Sequence, residues 1–472
     1  MLLSMFKRKL KIIPALGLAF LVVACGASPP PATSQRGLPT RAQPADLLPD
    51  TEPEMPMAAE TSAAQSAEKI KVAIMLPLSG SEAATGQALM RAAVIAFFDA
   101  YDPRLVLLPF DTMADADQTE IMARRAVEEG ISIVIGPLLA TNLQIAGDIL
   151  GPAGIPLIGF SNDSSVAAPG RFIMGFLPET EVKRVVDHSV SKGLMEQAAL
   201  IPDGRYGQRV RAAFGDAVSS AGGIIAAIEN YQPDPDAVFE PVKRLSNYDE
   251  RRKDMRDEIR YLRSLGDDLT DEIADELSKS EVLEGITYDA VLLPEGGELL
   301  GTLAPLLPFY EIDPNRVKFL GTGLWNDTAL LHEPPLQGAW FAAPDPVAPD
   351  SFLRRLEDQF GDAPPRIATL AYDAMSLIAY LLRQHDSLPA NDETGTAVSP
   401  TAPFSTENLM QETGFVGLDG LFRFLPDGTI ERSLAILEIR RRGFKVEDPA
   451  PTAFPSFGYA LRQPLKQPAS QE

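Results

Sequence analysis

VAIMLPLSGSEAATGQALMRAAVIAFFDAY, residues 72–101, decides the fold class. Its first six residues form an apolar run ended by Pro77, the pattern of a strand covered on both faces. A loop of small and polar residues follows. From Ala88 to Tyr101 apolar residues return at three- and four-residue spacing, as the buried side of a helix requires. The unit then repeats. LVLLPF (105–110) predicts a second strand, and DQTEIMARRAVEEG (117–130) a helix ended by Gly130. ISIVIG (131–136) is a third strand, LQIAGDILGPAG (143–154) a helix for which Thr141 or Asn142 is the expected cap, and PLIGF (156–160) a fourth strand. A second series runs through QAALIP (197–202), a helix over 207–221, GIIAAI (223–228), DAVLLP (289–294), ELLGTLAPLLPFY (298–310) and VKFLG (317–321). Strand–helix alternation with continuously apolar strands means a mostly parallel sheet with helices on both faces. Two series predict an α/β chain of two Rossmann-like lobes, since the body of about 380 residues is too large for one core. In such sheets ligands sit beyond the carboxyl ends of the strands.

Ahead of the body, MLLSMFKRKLK carries four basic residues and no acid, and the 13 residues from Ile12 to Ala24 carry no charge. Residues 1–24 therefore read as an export signal, too short to span a bilayer, which takes about 20 apolar residues. Val22-Val23-Ala24-Cys25 resembles the lipobox of bacterial lipoproteins. That resemblance implies lipid attachment at Cys25, and Gly26 after it favours the outer over the inner membrane of a Gram-negative envelope. Cys25 is the one cysteine in the chain, so no disulfide within the chain and no cysteine-based metal site is expected. Residues 25–69 contain many prolines and no aromatic residue, the composition of a flexible tether. As a random coil it spans about 35–40 Å. The segment from Leu388 to Asn408 reads as a surface loop, and 449–472 as a disordered tail.

Acidic residues outnumber basic ones by 65 to 42, giving a net charge of −23. Such a charge repels nucleic acid and anionic lipid and suits a basic protein partner. Residues 247–281 form a charged insertion in which Met255, Ile259, Leu262, Leu265 and Leu269 keep helical spacing. They predict one or two surface helices packing an apolar stripe on a lobe, or a protein-docking element. No sequence array suggests an enzyme. His188, His332 and His385 are scattered, and no H-E-x-x-H, nucleophile elbow or phosphate loop occurs. No metal or cofactor is expected.

Several segments carry a resemblance as an ordered set. They are PLSGSEAATGQALMRAAVIA (77–96), GPLLATNLQIA (136–146), IPLIGFSND (155–163), PDGRYGQR (202–209) and YDAVLLPEGG (288–297). GTGLW (321–325), LQGAWFAAP (336–344), AYDAMSLIAYLL (371–382) and GLDGLFRFLPDG (417–428) complete it. Over about residues 70–444 the chain resembles the type I periplasmic binding proteins, the leucine-binding class that feeds ABC importers. The resemblance implies lobes of 70–177 with 322–419 and 178–321 with 420–448, joined by three crossings near Leu177, Thr322 and Gly420. Ser79, Thr141, Asn142, Ser161, Tyr206 and Glu295 are the implied cleft residues. A bound amino acid would need hydroxyls and free backbone N–H groups for its carboxylate and acceptors such as Glu295 for its ammonium. In GPLLATNLQ, Leu143 stands where amino-acid binders align a threonine.

GPLL-x-x-N, the lipobox with its long tether, the charged insertion and LAPLLPFYEIDPNRVKFLGTGLW resemble the penicillin-binding protein activator lipoproteins. These implied features leave two functions open. One is a lipid-anchored, non-catalytic regulator that contacts a peptidoglycan synthase. The other is the solute-binding lipoprotein of an ABC importer, working with a permease and an amino-acid-like ligand. The best-known activators carry a large helical-repeat domain where this chain has the tether.

Overall fold

The computed structural model describes residues 69–283, 285–387 and 402–454. The export signal, Cys25, the tether up to residue 68, residues 388–401 of the expected loop and residues 455–472 of the tail lie outside the described residues. None of the described helices is long and apolar enough to cross a membrane.

The first lobe opens with β1 (Ile70–Leu76), α1 (Ala83–Ala100), β2 (Leu105–Asp111), α2 (Ala116–Glu128), β3 (Ile133–Ile135), α3 (Ala140–Leu150), β4 (Leu157–Gly159) and β5 (Arg171–Ile173). Its sheet is parallel throughout, in the order β2-β1-β3-β4-β5. All of β1 from Val72 to Leu76 is fully buried, as its unbroken apolar run requires. The start of α3 differs from expectation. The helix begins at Ala140 and no side chain caps it. Asn142, inside its first turn, donates instead to the Thr119 hydroxyl of α2 at 2.7 Å.

The chain then crosses to the second lobe, made of α4 (Pro178–Ser191), β6 (Glu196–Pro202), α5 (Arg205–Ala221), β7 (Ile224–Tyr231), α6 (Phe239–Leu245), α7 (Tyr248–Leu265), α8 (Asp268–Leu277), β8 (Ala290–Leu292), α9 (Gly297–Phe309), β9 (Lys318–Gly321) and β10 (Trp340–Ala343). It returns to the first lobe with α10 (Val347–Phe360), α11 (Ala368–Asp386), α12 (Thr406–Leu409), β11 (Phe415–Gly417), β12 (Gly420–Phe424) and β13 (Ile430–Arg432). It ends in the second with β14 (Ala435–Arg440) and β15 (Gly443–Asp448). The second sheet has the order β15-β14-β10-β9-β8-β6-β7, with β14 and β15 antiparallel to their neighbours. One core fills the first lobe, and two cores line the opposite faces of the second sheet. Close approach of α5 to β6 depends on Gly207, where a Cβ would lie 1.6 Å from the Pro202 carbonyl oxygen.

The two lobes and three crossings agree with the architecture read from the sequence, but two crossings fall elsewhere. The second follows β10 rather than Thr322, because β10 pairs with β9 and β14 in the second sheet. The third follows Arg432 rather than Gly420, because Phe422, Phe424 and Ile430 of the β11–β13 hairpins enter the first-lobe core. Both positions are set by pairing and packing between distant segments, which a local pattern does not carry.

Buried charge gathers where the crossings meet. Arg432, 5% exposed, donates from Nη2 to the Met174 carbonyl at 2.7 Å, tying the last crossing to the first. Its guanidinium lies over the Phe176 ring at 5.0 Å. Asp373 accepts from the Leu418 N–H at 2.7 Å. Asp419, fully buried, accepts from the Thr369 hydroxyl at 2.7 Å and from Arg366. Burial pushes Asp373 above the usual carboxylate range, and the charge of Asp419 adds to the effect. Removing one member of such a cluster leaves the others desolvated without compensation. Arg432→Ala is therefore expected to lose about 3–5 kcal/mol of stability in urea unfolding. A loss under about 1 kcal/mol, the value of a surface pair, would show that the cluster does not hold the crossings.

Candidate functional site

The lobes face each other across a cleft at the carboxyl ends of both sheets, lining a half-open cavity of about 540 Å³. The first lobe contributes a mostly apolar wall. Leu138 and Leu139 follow β3, Phe160 follows β4, Phe176 lies in the first crossing, and Ile367 and Leu370 begin α11. The second lobe contributes Glu181 from α4, Tyr206 from α5 and the turn Gly323-Leu324 after β9. Arg366, from the first lobe, is the cationic member of the lining.

Of the six cleft residues expected from the sequence, Tyr206 lines this cavity. The Ser79 hydroxyl donates to Asp111 Oδ2 at 2.6 Å, fastening the loop after β1 to the end of β2. Thr141 is exposed on α3, and Asn142 is buried between α2 and α3. Ser161 is buried, its hydroxyl accepting from the Asp163 N–H at 3.1 Å. Glu295 lies behind the second-lobe wall, accepting from the Tyr231 hydroxyl at 2.6 Å and from the Gly296 N–H at 3.0 Å. Ser79, Asn142, Ser161 and Glu295 thus have polar atoms committed inside the fold.

Glu181 is the residue that sequence reading missed. Acids in the first turn of a helix face solvent as a rule, favoured there by the helix dipole, and nothing in PETEV signals otherwise. The third dimension buries it. Its Oε2 accepts from the Gly323 N–H at 3.0 Å. Burial pushes its carboxyl up to about 8, so at neutral pH it stands in the wall mainly as a neutral group able to donate. Nearby, the Tyr206 and Thr322 hydroxyls are buried without a well-formed hydrogen bond. Burial raises the Tyr206 phenol, so it too remains protonated. The wall offers neutral hydroxyl and carboxyl groups opposite an apolar surface. Among the described residues no group of His, Cys, Asp or Glu is placed to hold a metal.

The lobes are latched beside the cavity. Arg205 and Arg209 of α5 reach the loop after β4, with Arg205 Nη2 3.0 Å from Asp163 Oδ2 and Arg209 Nη2 2.6 Å from the Asn162 carbonyl. Arg209 Nε also pairs with Glu179 at 2.8 Å, and the Ser164 hydroxyl donates to Glu179 at 2.6 Å. Burial would raise the Glu179 carboxyl, but Arg209 and Ser164 hold it below its usual value. Charge-assisted bonds of this kind are the strong ones; Arg205 to Asp163, Arg209 to Asn162 and Ser164 to Glu179 join the lobes, while Arg209 to Glu179 lies within the second.

Two predictions follow from the electrostatics. Glu181 binds its proton more tightly folded than unfolded, so its contribution to stability falls as pH rises from about 4.5 to about 8. Glu181→Gln is expected to remove that loss, gaining about 1–3 kcal/mol over wild type at about pH 8.5 in urea unfolding. Parallel pH profiles for the two proteins would contradict the assignment. Arg209→Ala is expected to weaken the closed form by about 1–3 kcal/mol and to enlarge the radius of gyration in small-angle scattering. An unchanged radius would mean that other contacts hold the lobes together.

Comparison with known proteins agrees with this architecture. Residues 54–265 match the family model described as LppC putative lipoprotein. The uncharacterized protein RP748 of Rickettsia prowazekii is 23% identical over 184 residues, 38% of this chain and 48% of that protein. The penicillin-binding protein activator LpoA of Vibrio antiquarius is 29% identical over 151 residues, 30% of this chain and 24% of that protein. The alignments thus span about half of the first relative's length and about a quarter of the second's. Among solved structures, a putative branched-chain amino acid ABC transporter from Rhodospirillum rubrum superposes with a TM-score of 0.59 at 20% identity, covering 80% of this chain and 99% of that one. The chain has the two-lobed fold of the type I periplasmic binding proteins, and in sequence it is similar to the LppC putative lipoproteins and to the penicillin-binding protein activator LpoA.

Proposed function

We propose that the protein is a lipid-anchored, non-catalytic regulator of peptidoglycan synthesis, acting on a penicillin-binding protein through protein–protein contact. The observation that carries this reading is the state of the cleft. A capture site for a free amino acid needs polar groups converging on the ligand. Here the Ser79 hydroxyl is engaged with Asp111, Glu295 is engaged with Tyr231, and the facing wall is mainly leucine, isoleucine and phenylalanine, with Glu82, Thr85, Asn162 and Arg366 among them. The activator relatives support the same reading, as the putative-lipoprotein family supports a place in the cell envelope. Outer-membrane attachment through Cys25, with the tether carrying the lobes toward the wall, belongs to this proposal.

A second reading is favoured by one observation. The 540 Å³ cavity, lined by Tyr206 with its buried, unsatisfied hydroxyl, suits a small, weakly polar solute, as the binding lipoprotein of an ABC importer would capture.

Thermal melting and a synthesis assay separate the two. The full chain, mixed with the purified penicillin-binding protein of the same organism, is expected to bind it and raise its rate of glycan polymerisation. Free amino acids are expected to leave the melting temperature unchanged. A ligand present at about a thousand times its Kd stabilises by about 4 kcal/mol. A melting shift of that size with any amino acid, without an effect on the synthase, would favour capture instead.

A further inference from the structure

The insertion between β7 and β8 is a helical hairpin whose base is fixed and whose outer part has an unpartnered face. At the base, Met255 is 3% exposed. The Tyr248 ring packs edge-on against Tyr310 at 5.4 Å, and its hydroxyl donates to Glu281 at 2.6 Å. Gly266, with φ of 70°, turns the chain between α7 and α8. Further out, Tyr261, Leu265, Leu269 and Ile273 remain 58%, 50%, 65% and 42% exposed.

Helix geometry puts these four on one side. Tyr261 and Leu265 stand one turn apart on α7, and Leu269 and Ile273 one turn apart on α8. Arg263, two residues from both Tyr261 and Leu265, projects from the other side of α7 at about 100° per residue. It meets Asp275 of α8 at 3.0 Å. That ion pair marks one broad face of the hairpin, and the apolar stripes lie on the opposite one.

Charge is sorted in the same way. Arg252, Arg256, Arg260 and Arg263 follow helical spacing along the ion-paired face. Asp254 and Glu258, seven and three residues before Tyr261, continue the apolar stripe, and Glu272 and Glu276 adjoin the stripe on α8. The apolar face is therefore rimmed by acids. A second copy of a chain with net charge −23, or an anionic lipid surface, would meet that rim with like charge.

We propose that this face of the α7–α8 hairpin docks on the penicillin-binding protein, at an apolar patch rimmed by lysine and arginine. The proposal rests on the regulator reading above. The hairpin's fixed base presents the stripes without ordering a flexible segment, which lowers the entropic cost of binding.

The test uses the full chain and the purified penicillin-binding protein of the same organism in a surface-binding assay. Wild type is expected to bind. L265S/L269S, at exposed positions and with an unchanged melting temperature, is expected to weaken binding about tenfold or more. D254K/E258K is expected to weaken it comparably at low salt, with the difference shrinking as salt screens the charges. D271S, on the ion-paired side, is expected to bind as wild type does. If wild type binds and both double variants bind equally well, the docking face is wrong and the regulator reading stands. If wild type does not bind, the regulator reading falls, and this occupant for the hairpin falls with it.

Discussion

Burying charge without water is the constraint on which the two-lobed arrangement turns. Arg432, Asp373 and Asp419 are each at most 5% exposed; Arg432 ends the last first-lobe strand before the chain crosses, and the two acids lie within the first lobe. A desolvated guanidinium is tolerable only with acceptors and carboxylates around it. For Arg432 the Met174 carbonyl accepts from Nη2, Nε and Nη1 have no hydrogen-bond partner among the described residues, and Asp419 and Asp373, from distant segments, favour its charge through space. The last crossing is tied to the first by the Arg432 bond to the Met174 carbonyl. The aromatic rings of Phe176 and Phe422 under the Arg432 guanidinium keep water out while remaining electrostatically favourable to a cation.

The same economy governs the cleft. Polar side chains near the strand ends are used mainly to build loops, as Asp111 does with Ser79 and with the Leu78 and Met113 N–H groups. On the second-lobe wall the Glu181 carboxyl and the Tyr206 phenol are pushed up by burial and stay protonated around pH 7. The strongest charges near the cavity are in the latch between α5 and the loop after β4, where they join lobe to lobe. The arrangement suits a body that grips or presents surfaces. The α7–α8 hairpin carries that theme outward, with apolar groups left in solvent on one face and the arginines of α7 on the other, where Arg263 pairs with Asp275.

Much of the fold was legible from periodicity. The apolar runs of β1, β6 and β9, and the helices that follow β1 and β6, fall where the pattern puts them, because a strand buried on both faces leaves little room for polar residues; β2 falls there too, half-buried at the sheet edge. The hairpin was legible as two charged helices, but its exposed stripe was not. Leu265 and Leu269 have the spacing of core residues, and what makes them surface is that no neighbour among the described residues covers them. The site was less legible. Tyr206 reaches the cavity as its place after β6 implies, whereas Ser79, Asn142 and Glu295 have the right chemistry at the right strand ends and spend it internally. Glu181 gave no local sign, since its burial comes from the turn after β9, well over a hundred residues away.

The sequence by itself determined the elements, their parallel order within each series, the doubling into two lobes and the absence of a recognisable catalytic array. These follow from local alternation and spacing, which a one-dimensional pattern records. Tertiary structure alone decided where the second and third crossings fall, which polar groups face the cleft, which acid is forced neutral and which hydrophobic stripe is left uncovered. Each depends on the partner a residue meets across the fold, and burial, hydrogen bonding and charge compensation are properties of that meeting.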